Sequence, residues 1–230
     1  MKRALGALCL LAANLLLLSG GCPAQLTDNT GDSLQAGFPI PAAGDSSGGS
    51  SVVPVAVNGD TSTNVGNDPA AGFPDCTEPA TADAWRAEIL RLVNQERQAR
   101  GLGAVAWNQT LEDEATEYAC EMVHYGFFGH VNPATSSTLT TRAASVGYDF
   151  WIIGENLAGG QRTPAEAMAD WMNSPCHREN ILNPAFTELG VSVRSGGDYG
   201  LYWVQEFGRP FSTTPYPGPA YKDPECTHNE

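Results

Sequence analysis

An abrupt change of composition near residue 80 limits what this chain can fold into. Residues 22–80 are rich in Gly, Ser, Pro, Ala, Asp and Asn, with runs such as AAGDSSGGSS and NGDTSTNVGND. This composition cannot bury enough apolar surface to offset the loss of chain entropy, so it predicts a disordered tether. Aromatic and aliphatic residues become frequent from about Thr81. The sequence therefore predicts one globular domain at 81–212, followed by a tail at 213–230.

The beginning of the chain predicts export. Residues 1–3 include two basic side chains, residues 4–18 are an apolar run, and small residues precede Cys22. A basic start, an apolar run of about 15 residues and small residues after it are typical of a secretory signal. The run is too short to span a membrane, which takes about 20 apolar residues. We assign the signal to residues 1–21.

The residues before Cys22 resemble the lipobox of bacterial lipoproteins, in which the cysteine is acylated and becomes the new N-terminus. The match departs from the usual pattern, because Leu18 lies one place too early and Ser19 occupies the aliphatic position. Cleavage after Ala24 is the alternative. Lipidation of Cys22 is the preferred prediction, because it leaves an even set of cysteines for disulfides in an exported chain. These are Cys76, Cys120, Cys176 and Cys226, for which three pairings exist.

The charge distribution argues against nucleic acid as a partner. The formal net charge is −14, and no basic residue occurs between Arg3 and Arg86. Phosphate binding needs clustered Lys and Arg, which this chain does not offer. The acidic balance by itself indicates solubility.

Periodicity and turn residues predict the elements of the domain. A first helix is expected over 83–100, and further helices after Asn108, over 137–146, after Thr163 and after Ser174, which is a good N-cap. Alternation over 189–194 and 201–207 predicts a hairpin, so the fold class is α+β with a largely antiparallel sheet. The acidic residues early in the second helix are expected to face solvent: Glu112, Asp113, Glu114 and Glu117.

Six segments follow one another in an order that resembles a known family: LVNQERQARGL, WNQTLEDEATEYA, GFFGH, GENLAGG, PAEAMADWMNSPCHRENILNPAFTELGVSV and YWVQEFG. Together they are similar to the CAP superfamily, which contains cysteine-rich secretory proteins, antigen 5, plant pathogenesis-related proteins and bacterial secreted domains. The resemblance covers roughly residues 84–209. It implies a three-layer α-β-α sandwich around the largely antiparallel sheet.

The resemblance also implies a cleft lined by two histidines and two glutamates. His130, Glu155 and His177 match three of these positions, whereas Ser174 stands where the second glutamate is usual. Two imidazoles and a carboxylate are suitable ligands for zinc or another divalent metal. The alternative is a buried polar cluster whose members bond to each other and to water.

The same resemblance brings His130 and His177 together, and thereby implies a Cys120–Cys176 disulfide. Cys76–Cys226 would then join the two ends of the domain. A thiol protease built from Cys176 and His177 is disfavoured, because adjacent helical residues project about 100° apart.

The predicted function is that of an exported, lipid-anchored binding module at the cell surface or outside the cell. Its ligand class, whether lipid, glycan or protein, stays open. One alternative is a metal-dependent hydrolase of peptide or ester bonds that uses His130, His177 and Glu155. A second alternative is a structural surface module with no ligand in the cleft. The predicted localisation is the cell envelope, or the medium if Cys22 is not acylated.

Overall fold

The computed structural model describes residues 25–28, 68–219 and 221–223, with only the backbone path described for residues 25–28. The predicted signal peptide, Cys22, most of the tether and Cys226 lie outside these residues. The helices are α1 Ala82–Gln98, α2 Gln109–Tyr125, α3 Leu139–Ser145, α4 Pro164–Asn173 and α5 Pro175–Leu182. The strands are β1 Gln25–Asp28, β2 Ala106–Trp107, β3 Phe150–Gly159, β4 Glu188–Gly196 and β5 Gly200–Pro210. Within the described ranges, no helix combines the length and the apolar character needed to cross a membrane.

The strands form one mixed sheet in the order β1-β3-β5-β4-β2. Its pairings are antiparallel except for the short parallel pair of β2 with β4. Helices α1, α4 and α5 pack together on one face, and α2 with α3 covers the other. This arrangement confirms the predicted α+β sandwich and its largely antiparallel sheet.

Alternate residues of the central strands therefore face two different helical layers. On β5, Trp203 and Phe207 pack in the core beneath α1, α4 and α5, whereas Tyr202 and Val204 pack beneath α2. Both faces of β3 and β5 are buried in this way. A polar side chain in the middle of either strand, such as Glu155 or Glu206, is consequently buried and must find a partner inside the protein.

Local capping explains where most helices begin. The side chain of Asn108 accepts a hydrogen bond from the Leu111 N–H at 3.0 Å, and Thr163 caps α4 in the same way. Thr138 and Thr141 form a reciprocal capping box at the start of α3. Ser174 does occupy the N-cap position of α5, but its side chain makes no capping hydrogen bond to any described residue. The start of α5 depends instead on Pro175, whose fixed φ suits the first helical position.

The close approach of α2 to the sheet depends on Gly190 of β4. A Cβ at this position would lie 2.2 Å from the backbone carbon of Leu111 and 2.3 Å from the Glu112 nitrogen. Only glycine allows this approach. The contact lays the first half of α2 directly on the strands, which determines which of its acidic residues are buried.

The predicted disulfide pairing is wrong. Cys76 is bonded to Cys120, with the two Cα atoms 5.3 Å apart, so neither Cys120–Cys176 nor Cys76–Cys226 forms. Cys120 lies on α2 and the Cys176 helix lies in the opposite helical layer, so the sheet separates them. The segment before α1 instead runs along the β4–β5 hairpin, where Thr77 pairs with Ser195 and brings Cys76 to α2. Cys176 is disulfide-bonded as well, to a partner beyond the described residues.

Candidate functional site

Three separate elements carry the residues that the family resemblance predicted to line a cleft. His130 lies in the loop after α2, Glu155 lies in the middle of β3, and His177 lies in the first turn of α5. All three side chains are buried. His130 contacts Glu155 directly, and the charge of His130 acts on the imidazole of His177.

His130 and Glu155 form a direct pair, with His130 Nδ1 and Glu155 Oε1 2.5 Å apart. The other carboxylate oxygen of Glu155 accepts a hydrogen bond from the guanidinium of Arg142 on α3. Arg142 also donates to the backbone oxygen of His130 at 3.2 Å. One arginine thus fixes both the carboxylate and the loop that carries the histidine.

Arg142 was not identified from the sequence, and its surroundings explain why. It is the only charged residue of the short helix LTTRAAS, a context in which a solvated side chain is the ordinary expectation. In the structure it is buried, and its guanidinium lies over the ring of Tyr118 at 3.3 Å from the centroid. The tyrosine face adds a cation–π contact to the ion pairs.

Two further carboxylates complete the cluster. Glu114 of α2 accepts a hydrogen bond from Arg142 Nε at 2.5 Å, and Glu206 of β5 lies 3.8 Å from Arg142 Nη2. The prediction that Glu114 faces solvent is wrong, because only 2% of it is exposed. The approach at Gly190 presses this side of α2 onto the sheet. Glu206 pairs with Glu155 across the β3–β5 register and shares its face of the sheet.

The three carboxylates do not titrate alike, although they share one guanidinium. Burial raises the pKa of Glu206 well above its usual range, and the charges of Glu114 and Glu155 act in the same direction. Burial also opposes ionisation of Glu155, but Arg142 and the hydrogen bond with His130 outweigh it and lower the pKa. The pKa is therefore lowered at Glu155, which Arg142 and His130 contact directly. It is raised at Glu206, whose oxygens have no hydrogen-bond partner among the described residues.

His177 lies on the other side of β3. Burial lowers the pKa of its imidazole to about 4, and the charge of His130 contributes to this shift. Its Nε2 atom is buried and has no hydrogen-bond partner among the described residues. The backbone oxygen of His177 accepts from Asn156 Nδ2 at 3.1 Å, which ties the start of α5 to β3. The structure therefore presents a neutral imidazole with one unused nitrogen.

The three-ligand metal set expected from the sequence is not assembled. Both oxygens of Glu155 are engaged, one by His130 and one by Arg142. Across the described ranges, no group of three or more His, Cys, Asp or Glu side chains is arranged to hold a metal ion. Glu155 instead orients His130, the role that carboxylates play behind metal-bound or catalytic imidazoles. The half-buried Ser174 lies at the α4–α5 junction, where its N–H donates to the Asp170 and Trp171 carbonyls.

The fold is an α-β-α sandwich. It contains a buried His130–Glu155 pair held by Arg142, and a second buried histidine, His177, on α5. Residues 90–207 match the cysteine-rich secretory protein family, CAP. The chain belongs to this family.

Two relatives come from Bacillus subtilis. The chain is 36% identical over 129 residues to the uncharacterized protein YkwD, an alignment that covers 56% of this chain and 49% of YkwD. It is 34% identical over 120 residues to the uncharacterized membrane protein YlbC, covering 52% of this chain and 33% of YlbC. The chain thus spans about half of one relative and a third of the other.

Solved structures include similar folds. An extracellular protein containing a SCP domain from Bacillus anthracis is 33% identical with a TM-score of 0.51, and the match covers 56% of this chain and 41% of that one. An outer surface protein from Borrelia burgdorferi is 22% identical with a TM-score of 0.54, covering 58% and 98% of the two chains. The second likeness concerns the fold alone. The Bacillus anthracis protein is described as extracellular, which supports export of this chain.

Proposed function

We propose that this chain is an exported, lipid-anchored CAP protein whose cleft binds a polar group of an extracellular ligand. The observation that carries the proposal is the Nε2 atom of His177, buried without a hydrogen-bond partner among the described residues. An unsatisfied buried polar atom costs about 1–3 kcal/mol, and a ligand that pairs with it offsets that cost. The unpaired nitrogen therefore favours a binding site in which a polar group of the ligand supplies the missing hydrogen bond.

The charge states favour binding over catalysis. Arg142 and His130 hold the carboxylate of Glu155 and lower its pKa, which makes it a weak base at neutral pH. Burial keeps the pKa of His177 at about 4, which makes its imidazole a weak base at neutral pH. Burial raises the pKa of Glu206, which lies opposite Glu155 on β5. These groups are therefore better suited to fixed polar contacts with a ligand than to proton transfer.

The metal-dependent hydrolase is the second candidate, and the His130–Glu155 pair favours it. A carboxylate on one ring nitrogen orients the other for a metal ion or for proton transfer. The imidazoles of His130 and His177 would hold a divalent metal, with Glu155 behind His130 and not as a ligand. A metal there would supply a Lewis acid.

Zinc is a suitable probe of the two imidazoles. We expect the mature chain to bind Zn²⁺ in calorimetry, and His177→Ala to weaken binding at least about tenfold, because one of two protein ligands is lost. His124→Ala is the matched control, since His124 is exposed and contacts Asp75 outside the cleft. Absence of zinc binding, or an equal loss in the control, would contradict a cleft formed by both histidines. Ester or peptide hydrolysis that disappears in His130→Ala would overturn the binding module in favour of the hydrolase.

The lipid anchor is tested separately. The proposed organisation is a signal at 1–21, a tether within 22–80, the CAP domain at 81–212 and a tail at 213–230. Two parts of the predicted 22–80 tether are joined to the domain, residues 25–28 through the pairing of β1 with β3 and residues 68–80 through Cys76. We expect an alkyne-palmitate label on the chain when it is expressed in a bacterial host, and loss of the label in Cys22→Ala. Protein released into the medium only by Cys22→Ala would support the anchor. An unlabelled wild-type chain that is released into the medium would show that cleavage follows Ala24 and that the protein is secreted.

A further inference from the structure

The helix that carries His177 cannot hold its position by itself. α5 contains eight residues, far fewer than the roughly 12–15 that an isolated helix needs even for marginal stability. Its first turn has no side-chain cap from Ser174. Contacts with neighbouring segments must therefore determine where His177 lies.

One set of contacts lies on the side that faces the sheet. Asn180 Nδ2 donates to the backbone oxygen of Glu155 at 3.0 Å and to Asn156 Oδ1 at 2.9 Å. Asn156 in turn donates to the backbone oxygen of His177. These amides join α5 to β3, the strand that carries Glu155.

The opposite set comes from the C-terminal tail. Arg178 Nε donates to Asp223 Oδ2 at 2.7 Å, and Lys222 Nζ lies 3.2 Å from Glu179 Oε1. The backbone N–H of Asp223 donates to Glu179 Oε2 at 2.9 Å. Two consecutive helix residues of opposite charge thus meet two consecutive tail residues of opposite charge. Asp223 is 4% exposed, so this is a docked segment and not a solvated one.

A covalent contact lies beside the ionic ones. Cys176 is disulfide-bonded, and it directly precedes His177 in the first turn of α5. Cys176, Arg178 and Glu179 thus bind other segments of the chain, while the side chain of His177 between them is buried.

We propose that residues 221–223, the C-terminal latch, together with the Cys176 disulfide, position His177 by clamping α5 against β3. The inference rests on the proposed role of His177 in the cleft. The clamp makes Arg178, Glu179 and Asp223 positioning residues, since they act on the imidazole through the helix. It also makes the geometry of the cleft sensitive to reduction of the disulfide at Cys176.

Amide hydrogen exchange and histidine titration by NMR test the latch on the full mature chain with Cys22→Ala as the common background. In Asp223→Asn and in Cys176→Ser, we expect the α5 amides to exchange at least about tenfold faster while α2 amides are unchanged, because local opening is uncoupled from global unfolding. The pKa of His177 should rise from about 4 toward the ordinary imidazole value as the loosened site admits water. Asp198→Asn, in the exposed β4–β5 turn, is the control.

Two results would overturn the latch. The first is that neither the exchange rate of the α5 amides nor the pKa of His177 changes in either variant. The tail would then cover α5 without positioning His177. The other is an equal acceleration of α2 and α5, which would show a loss of overall stability and no positioning role. Both readouts are taken without ligand, zinc or substrate. Failure of the proposed cleft function would therefore leave them unchanged, and failure of the latch would not affect zinc binding in the wild-type chain.

Discussion

Arg142→Met is expected to lower the free energy of unfolding by about 3–5 kcal/mol, because removal of one partner leaves buried charge uncompensated. Arg142 is the cation shared by Glu114, Glu155 and Glu206, all of which are buried. Methionine fills a similar volume, so packing loss is small. Urea unfolding at pH 7 measures the effect. Arg91→Met on the exposed side of α1, where Arg91 pairs with Glu88, should change stability by less than about 1 kcal/mol.

The destabilisation should depend on pH with a definite sign. The folded-state pKa of Glu155 is lowered, so its contribution to stability is present above the unfolded value of 4.5 and is lost as pH falls through the folded value. In Arg142→Met this carboxylate loses its cation, and burial then raises its pKa. The difference between wild type and variant should therefore be largest at neutral pH and shrink below about pH 4.5. A loss of stability equal to that of Arg91→Met, or a loss that does not change with pH, would contradict the shared role of Arg142 as the cation of the three buried carboxylates.

Arg97→Met is expected to lower the free energy of unfolding by at least about 3 kcal/mol, because several buried carbonyl oxygens lose their donor at once. Arg97 of α1 is 1% exposed and has backbone acceptors in two segments: Gly103 O at 2.8 Å, Ile181 O at 2.9 Å, Asn183 O at 2.8 Å and Phe186 O at 3.1 Å. Burial lowers its pKa to about 10, so it is still charged at neutral pH. Its cation lies at the C-terminal end of α5, where a helix favours positive charge.

Thermal and urea unfolding measure this loss against two variants. Arg100→Met, three residues later on the exposed surface, removes a pair with Glu96 and should change stability by less than about 1 kcal/mol. Arg97→Lys keeps the charge but not the planar set of donors, so it should recover only part of the loss. If Arg97→Met and Arg100→Met were equally stable, the proposed fastening of α5 to α1 would be wrong.

Much of the fold could be predicted from local sequence because its signals are local. Asn108, Thr138 and Thr163 cap helices at the expected places, and β4 and β5 form the expected hairpin. A cap or a hairpin turn depends on residues a few positions apart, so its chemistry can be recognised without the rest of the chain. The order of the family motifs likewise indicated the sandwich.

The charged residues show where local reasoning fails. Arg97, Glu114 and Arg142 lie on helices among polar neighbours, a context typical of solvated side chains, yet all three are buried. Their partners come from other elements, at sequence separations from 28 to 89 for the Arg142–Glu114 and Arg97–Phe186 bonds. Glu206 lies on β5, which has a helical layer on each face, so alternation offers it no exposed side. These charged side chains become buried only when the helical layers pack onto the sheet.

By itself, the sequence determined the positions of the helices and of the β4–β5 hairpin, the family and the identity of the histidines, because caps, periodicity and motif order are encoded over short distances. It did not indicate β1, which lies within the predicted tether. The tertiary structure alone decided that Cys76 bonds to Cys120, that Arg142 organises three carboxylates, and that the tail clamps the helix of His177. Each of these depends on which face of the sheet a segment covers. Which face a segment covers is determined by the burial of apolar surface over the whole domain, so it cannot be inferred from one short stretch of sequence.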